Sequence, residues 1–223
     1  KKINPIHFIL TSTSSVYGAN NLTPFKETDK SDLQLSFYAA TKKANEAMSH
    51  TYAYNHKIPT TVLRFFTVYG PWGRPDMALF KFTNSILSDN PIDIYNYGKM
   101  NRAFTFIDDL IESIILLLDK PPEEPQKRKK IYKSDSISEV APWRIVNIGN
   151  SETIGVMKFI EILESILGKK SKNNFLKMQS GDIKDTISSS LLLEELIGKR
   201  NNTSLYQGIK KFVEWYKIYY EKN

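Results

Sequence analysis

Short runs of apolar, β-branched and aromatic residues alternate with longer segments of helical periodicity, and this alternation limits the fold more than any other feature. Three such runs, at residues 6–10, 60–66 and 144–148, have the length and composition of β-strands, and the first is expected to be buried. Helices are predicted at residues 36–54, 77–89, 108–118, 153–167, 186–196 and 205–220. Strands that alternate with helices favour an α/β fold with a parallel sheet.

The composition is that of a folded protein. Of the 223 residues, 41% are hydrophobic and 12% are aromatic, which excludes an intrinsically disordered protein and fits one domain or one and a half. The chain has no cysteine, so disulfides, thiolate metal sites and a cysteine nucleophile are excluded. The most apolar stretch, residues 110–118, is far shorter than the ~20 residues that span a bilayer. We therefore expect a cytoplasmic protein.

The net charge is +7, from 31 Lys and Arg against 24 Asp and Glu. Such a charge suits nucleic acid, a membrane surface or an anionic small molecule. The densest basic run, residues 127–130, follows a proline-rich stretch and is predicted to be a solvated loop, so we expect neither nucleic acid nor a membrane as partner. His7, His50 and His56 show no ligand spacing on one face, and no metal is expected.

The chemistry is indicated by Tyr38 and Lys42, which are four residues apart on a predicted helix and therefore share one face. A free tyrosine, with a pKa of about 10, is a poor base at neutral pH, but a nearby ammonium favours the phenolate. Such a pair can take a proton from a sugar hydroxyl. Taken alone, the pair also fits a plain surface contact. Thr13, at the end of the first predicted strand, adds a hydroxyl that can hydrogen-bond a substrate oxygen.

Several segments along nearly the whole chain carry a family resemblance. They are TSSVYG (13–18), YAATK (38–42), LRFFTVYGPWGRPDMA (63–78), RAFTFIDD (102–109), NIGN (147–150), MQSGD (178–182) and GIKKFVEWY (208–216). The 63–78 segment is the most specific of them. With these segments the chain resembles the extended short-chain dehydrogenases/reductases of the NAD-dependent epimerase/dehydratase family, and within them the UDP-glucuronate 4-epimerases of CapI type.

The resemblance implies a catalytic set of Tyr38, Lys42 and Thr13. Tyr38 would be the base, Lys42 its partner and a ligand of the cofactor ribose, and Thr13 would hydrogen-bond the sugar 4-oxygen. NAD is the implied cofactor, held by Tyr38, Lys42 and Phe66, with Phe66 beside the nicotinamide. From the residues alone, Phe66 is equally compatible with a place in the core.

The resemblance also implies contacts to a UDP-sugar substrate. They come from Thr13, Ser14, Ser15, Thr67, Arg74 and Arg102. Arg74 would meet the glucuronate carboxylate, which suits a planar guanidinium, and Arg102 would bind the diphosphate or ribose of UDP. An exposed position for Arg74 and an ion pair of Arg102 with Asp108 or Asp109 are the alternatives.

The implied fold is the C-terminal part of a Rossmann-like, doubly wound parallel sheet plus a small α/β substrate-binding domain. Residues 1–75 would form the C-terminal half of the NAD-binding domain. Residues 76–223 would form mostly the sugar-nucleotide-binding region, with 92–119 and 144–150 returning strands and helices. No G-x-x-G-x-x-G turn occurs among the ten glycines. We therefore expect an N-terminally truncated member that lacks roughly three βα units, on the order of 100 residues, and whose first strand is an open edge.

The implied activity is that of an isomerase, the NAD-dependent 4-epimerisation of UDP-glucuronate to UDP-galacturonate for surface polysaccharide synthesis, in a homodimer when the protein is intact. The alternatives are a catalytically inactive remnant and a related UDP-sugar epimerase or decarboxylase. Ser14 and Ser15 stand where the 4,6-dehydratases of the superfamily carry an Asp-Glu pair, which argues against dehydration.

Overall fold

The structure is a computed structural model that describes residues 5–178, 185–199 and 202–220, with the backbone alone at 185 and 186. The described strands are β1 (Phe8–Thr13), β2 (Thr60–Phe65), β3 (Thr67–Tyr69), β4 (Pro91–Ile94), β5 (Asn101–Arg102), β6 (Phe104–Phe106), β7 (Trp143–Ile148), β8 (Ile154–Gly155), β9 (Lys172–Phe175) and β10 (Asp185–Thr186). The described helices are α1 (Phe37–His56), α2 (Ala78–Leu87), α3 (Ile107–Leu118), α4 (Val156–Leu167), α5 (Leu191–Ile197) and α6 (Leu205–Tyr219).

A parallel sheet with the strand order β1-β2-β7 forms one half of the molecule. Leu63 of β2 and Val146 of β7 face α3 and α5, with which they form one apolar cluster. The neighbouring side chain of β2, Arg64, points to the opposite face, where α1 packs. This arrangement is a layered α/β fold with helices on both faces of a parallel sheet, so the predicted fold class is confirmed.

The second half is built around α2, α4 and α6 and is rich in aromatic side chains. Phe80, Phe159 and Phe212 are buried in its core, and rings from α2 and α6 contact each other edge to face. Its strands form short parallel pairs, β3 with β6 and β4 with β9, and a three-stranded group in the order β10-β5-β8. Later in the chain, β7 pairs with β2 in the sheet of the first half, whereas β4 pairs with β9 in the second half.

The sequence prediction was wrong in detail at several places. The first strand begins at Phe8 rather than at residue 6. Ile6 and Phe8 are exposed because β1 pairs with β2 alone among the described strands. Only the end of this strand is therefore buried. Residues 68–76 were expected to form a loop, but residues 67–69 form β3 because they pair with β6. The strand at 172–175 was not predicted, since its polar side chains lack an apolar pattern. Within the described residues, no helix combines the length and apolar character needed to cross a bilayer.

Candidate active site

A cavity of about 660 Å³ opens at the carboxyl ends of β1 and β2, between the two halves of the molecule. In a parallel sheet this edge is where ligands bind, because the loops that follow the strands converge there. The cavity is lined by seven of the nine residues predicted from the sequence, Thr13, Ser14, Ser15, Tyr38, Phe66, Thr67 and Arg74. Lys42 and Arg102 are not among its lining residues.

The hydroxyl-rich side of the cavity is a tight turn. β1 ends at Thr13, and Ser14–Tyr17 form a single 3₁₀ turn that Thr13 caps by accepting a hydrogen bond from the Ser15 amide at 3.2 Å. The Thr13 hydroxyl also lies 3.2 Å from the Ser15 hydroxyl. At Gly18 the turn closes with φ of 56°, and a Cβ there would lie 1.9 Å from the Leu33 carbonyl oxygen, so only glycine fits. The strand end and the glycine fix these hydroxyls at the cavity.

Tyr38 and Lys42 lie on the first turns of α1. The helix begins after Ser36, whose hydroxyl accepts a hydrogen bond from the Ala39 amide at 3.1 Å. The Tyr38 side chain is half exposed and lines the cavity. The Lys42 ammonium donates to the Thr11 carbonyl at 3.0 Å, which leaves two of its three donors for other partners. Lys42 therefore ties α1 to the end of β1, two residues before Thr13.

Phe66 and Thr67 follow β2 directly and line the cavity floor. Phe66 is buried and contacts the stacked rings of Tyr17 and Phe25. A Cβ on Gly149, in the loop after β7, would lie 2.7 Å from the Phe66 ring, so the glycine allows the two loops to approach. Phe66 is thus both a core residue and a cavity residue.

The two predicted arginines have different surroundings. The Arg74 side chain is 72% exposed at the cavity and donates to Asp76 at 3.0 Å. Arg102, at the end of β5, is partly buried and donates to the neighbouring Asn101 carbonyl at 3.2 Å. The structure therefore groups Arg74 with Thr13 and Tyr38 around one cavity, and Arg102 lies outside its lining. Residues 179–182 of the MQSGD segment lie outside the described residues.

A buried polar network beneath the cavity was not predicted. Arg64 donates to both carboxylate oxygens of Glu46, at 2.9 and 2.8 Å, and Ser12 donates to the same carboxylate at 2.7 Å. The Arg64 guanidinium also lies 4.6 Å from the centre of the Tyr17 ring, whose hydroxyl donates to Asn147 at 2.7 Å. A signal was present in the sequence, because an arginine inside an apolar strand requires a partner when it is buried.

The network perturbs its ionisable groups in opposite directions. Burial alone would raise the pKa of Glu46, but the hydrogen bonds and charge of Arg64 hold that pKa below its ordinary value. Burial raises the pKa of Tyr17 to about 12 and the pKa of Glu27 to about 7, despite the bond that Glu27 accepts from the Asn147 amide. At neutral pH, Glu46 is therefore ionised and Tyr17 keeps its proton.

The described residues contain no group of three or more His, Cys, Asp and Glu side chains able to hold a metal ion. Two of the histidines have structural contacts instead. His7 lies 3.1 Å from the Leu118 carbonyl and 2.9 Å from the Thr61 hydroxyl, and His50 lies 2.8 Å from the Ser138 hydroxyl.

Comparisons with known proteins agree with the family resemblance. Residues 1–133 match the family described as NAD dependent epimerase/dehydratase. A probable UDP-glucuronate 4-epimerase of Rhizobium meliloti is 49% identical over 222 residues, covering 100% of this chain and 65% of that protein. Protein CapI of Staphylococcus aureus is 47% identical over 222 residues, covering 100% of this chain and 66% of that protein. The chain therefore spans slightly less than two thirds of the curated relatives it matches.

A solved structure shows the same relationship. UDP-glucuronic acid 4-epimerase from Bacillus cereus, in complex with UDP-glucuronic acid and NAD, superposes with a TM-score of 0.77 at 34% identity. The match covers 96% of this chain and 62% of that one. The Rossmann-like fold predicted from the sequence is confirmed by this likeness.

Proposed function

Because the chain belongs to the NAD dependent epimerase/dehydratase family, we propose that it carries the substrate side of a UDP-glucuronate 4-epimerase, which converts UDP-glucuronate to UDP-galacturonate for surface polysaccharide synthesis. The observation that supports this most is the single cavity lined by Thr13, Tyr38, Phe66 and Arg74 together. A base and a hydroxyl donor are the groups that deprotonation of a sugar 4-hydroxyl requires, and a guanidinium is suited to bind the carboxylate of a uronic acid.

In the proposed mechanism, Tyr38 removes the proton of the sugar 4-hydroxyl while the Thr13 hydroxyl bonds the same oxygen. Tyr38 returns the proton when the 4-keto sugar, turned over within the cavity, is reduced on its other face. The cavity of about 660 Å³ is within the usual size range of small-molecule sites. Lys42 supplies positive charge one helical turn from Tyr38, and its two remaining donors are available to ribose hydroxyls.

NAD supplies the reversible oxidation of C4 when it is bound. The residues that fit its nicotinamide end are Tyr38, Lys42 and Phe66, because Tyr38 and Phe66 line the cavity and Lys42 keeps two donors for ribose hydroxyls. For the pyrophosphate, the family uses a glycine-rich turn that does not occur among these 223 residues. The chain's own residues thus account for one end of the cofactor.

Arg74 is proposed to select the uronic acid. Its guanidinium already bonds one carboxylate, that of Asp76, and both side chains are largely exposed, so exchange for a substrate carboxylate costs little desolvation. Arg102 is proposed to bind the UDP portion, and Thr67, Ser14 and Ser15 to contact the sugar or diphosphate. A related epimerase whose UDP-sugar lacks a carboxylate would need a different partner at Arg74, whereas a decarboxylase would present the same carboxylate there.

A second candidate function is binding of a UDP-sugar without turnover. The 223 residues contain no G-x-x-G-x-x-G turn, so this stretch tested alone is expected to bind NAD weakly. The two candidates share the cavity and differ only in chemistry.

We further propose a homodimer formed through α1. Phe37, Met48 and Tyr52 are 95%, 55% and 63% exposed on this helix, and exposed apolar side chains on one element are typical of a protein–protein contact. Sedimentation of the protein and of Tyr52→Lys tests this, and an unchanged sedimentation coefficient would argue against it. The cytoplasmic location and the division at residue 75 stay predictions.

The test of function is incubation of the protein with NAD⁺ and UDP-glucuronate, followed by chromatography for UDP-galacturonate. Product supports the epimerase. Absence of product together with calorimetric binding of UDP-glucuronate supports the second candidate. Absence of both contradicts the two proposals.

A further inference from the structure

Two hydrogen bonds of different kinds join α1 to the carboxyl end of β1. Lys42 donates to the Thr11 carbonyl, and one helical turn later Glu46 accepts a hydrogen bond from the Ser12 hydroxyl. Consecutive strand residues are thus bound by residues on consecutive helical turns. Thr13 is the next residue along the strand, and Tyr38 is one turn back along the helix.

The other polar contacts between α1 and the sheet lie further along the helix from Tyr38, where Trp143 of β7 donates to the Ser49 hydroxyl at 2.9 Å and His50 lies 2.8 Å from the Ser138 hydroxyl. The buried apolar residues of α1 are Ala39 and Ala53, which allow a close approach but leave a smooth surface. A smooth surface resists separation of the helix from the sheet more than it resists sliding along the sheet. The bidentate bond between Glu46 and Arg64 resists sliding, because both of its hydrogen bonds lengthen when the helix moves.

Stability alone gives no reason for this pair. Arg64 and Glu46 are only 1% and 2% exposed, and the cost of taking two charges out of water often equals or exceeds what their attraction returns. Apolar residues of similar volume would serve packing as well. A buried charge pair beside the reacting groups is better explained by the geometry that it imposes.

We propose that Ser12, Glu46 and Arg64 are positioning residues for the active site. They lock the register of α1 against the sheet and so set the separation of the Tyr38 phenol from the Thr13 hydroxyl. The inference rests on the proposed function for the identity of the reacting groups. The locking of Tyr38 by Glu46 can be measured without turnover.

The chain provides a matched control in the same sheet. Arg144 of β7 donates to both carboxylate oxygens of Asp135, at 2.9 and 3.1 Å, and these side chains are 6% and 0% exposed. Arg144 pairs in register with Thr61, three residues closer to the amino end of the sheet than Arg64. The two pairs have the same bonding and similar burial, but only one adjoins α1 beside Tyr38.

The experiment compares Glu46→Gln with Asp135→Asn in protein labelled with ¹³C at the tyrosine ring, with the Tyr38 signal assigned from Tyr38→Phe. We expect Glu46→Gln to displace the Tyr38 signal by more than its linewidth and Asp135→Asn to leave it in place. Ser12→Ala, which removes one neutral hydrogen bond, replaces Glu46→Gln if that variant fails to fold, and is expected to move the same signal less. An unmoved Tyr38 signal in the folded variant, or equal displacement by Asp135→Asn, would overturn the proposal.

Turnover gives the second readout. Glu46→Gln is expected to lower kcat at least tenfold with KM within twofold, and Asp135→Asn to leave both within twofold. An equal loss in the two variants would mean that the pair only supports folding and would overturn the proposal. If the parent protein lacks turnover and UDP-glucuronate affinity, the proposed function fails, while the Tyr38 signal still decides whether Glu46 positions α1.

Discussion

The cavity has two walls of different construction. The wall at the sheet carries Thr13 and Tyr38, and beneath it Glu46 and Arg64 are almost completely buried and bonded in pairs. The opposite wall is the loop between β3 and α2, residues 70–77, whose Arg74 side chain is 72% exposed. The first wall is held by hydrogen bonds of fixed direction, and the second by the contact of Trp72 with aromatic rings of α6.

This difference suggests that the two walls of the cavity have different roles. Groups that take part in bond breaking must be held within a fraction of an ångström, which directional buried bonds achieve. A group that recognises a charge at the far side of a substrate can tolerate motion. Changes in the sheet wall should therefore affect turnover and stability, and changes in the loop wall should affect substrate choice.

The largest effect is expected from Tyr38→Phe. Loss of the phenolic hydroxyl removes the proposed base, and turnover should fall by about a hundredfold or more. Binding of UDP-glucuronate, measured by calorimetry, should be nearly intact because the ring remains. Turnover equal to that of the parent would remove Tyr38 from the mechanism.

The next effect concerns stability in the sheet wall. Arg64→Leu leaves Glu46 buried without its partner, so the free energy of unfolding should fall by about 3–5 kcal/mol. The exposed pair of Lys158 and Glu161 on α4 provides the control, and Lys158→Ala should cost less than about 0.5 kcal/mol. Urea denaturation measures both. Similar losses in the two variants would show that burial does not distinguish these pairs.

A pH dependence is expected from Glu27, whose pKa burial raises from 4.5 to about 7. The folded state keeps this proton while the unfolded state loses it, so the contribution of Glu27 to stability falls as pH rises from 4.5 to about 7, by about 1–3 kcal/mol. Burial lowers the pKa of His7, which acts in the opposite sense up to pH 6.5. The difference between the parent and Glu27→Gln isolates Glu27, and a difference that does not change with pH would contradict this assignment.

The smallest effect is expected in the loop wall. Arg74→Ala should weaken UDP-glucuronate binding by about ten- to a hundredfold, as for loss of a charge-assisted hydrogen bond. UDP-glucose, which has no carboxylate, should bind the variant and the parent alike. Stability should be unchanged because the side chain is exposed. Equal losses of affinity for the two UDP-sugars, measured by calorimetry, would show that Arg74 does not bind the substrate carboxylate.

Much of this organisation could be predicted from the sequence, for identifiable reasons. β2 and β7 are rich in buried β-branched and aliphatic residues, and α1 begins at a serine cap, so local pattern and final structure agree. The segment 63–78 was recognisable because its sequence is the most specific of those that carry the resemblance. The family resemblance then joined residues that are distant in sequence into one site.

The parts that could not be predicted depend on contacts between distant segments. β9 is a strand because it pairs with β4, some 80 residues earlier, and three of its four residues are polar. The hydrogen bond between Ser12 and Glu46 joins residues 34 apart, and no local sequence pattern predicts it. In the sequence, only Arg64 indicated this network, because it is a charged residue within an apolar strand. Its partner became evident only from the packing of α1.

The most direct measurement is a crystal structure of the protein with UDP-glucuronate. We predict that the sugar 4-oxygen lies within about 2.6–3.2 Å of both the Thr13 hydroxyl and the Tyr38 phenol, with the carboxylate at Arg74. A sugar bound elsewhere, or a 4-oxygen that reaches neither hydroxyl, would contradict it.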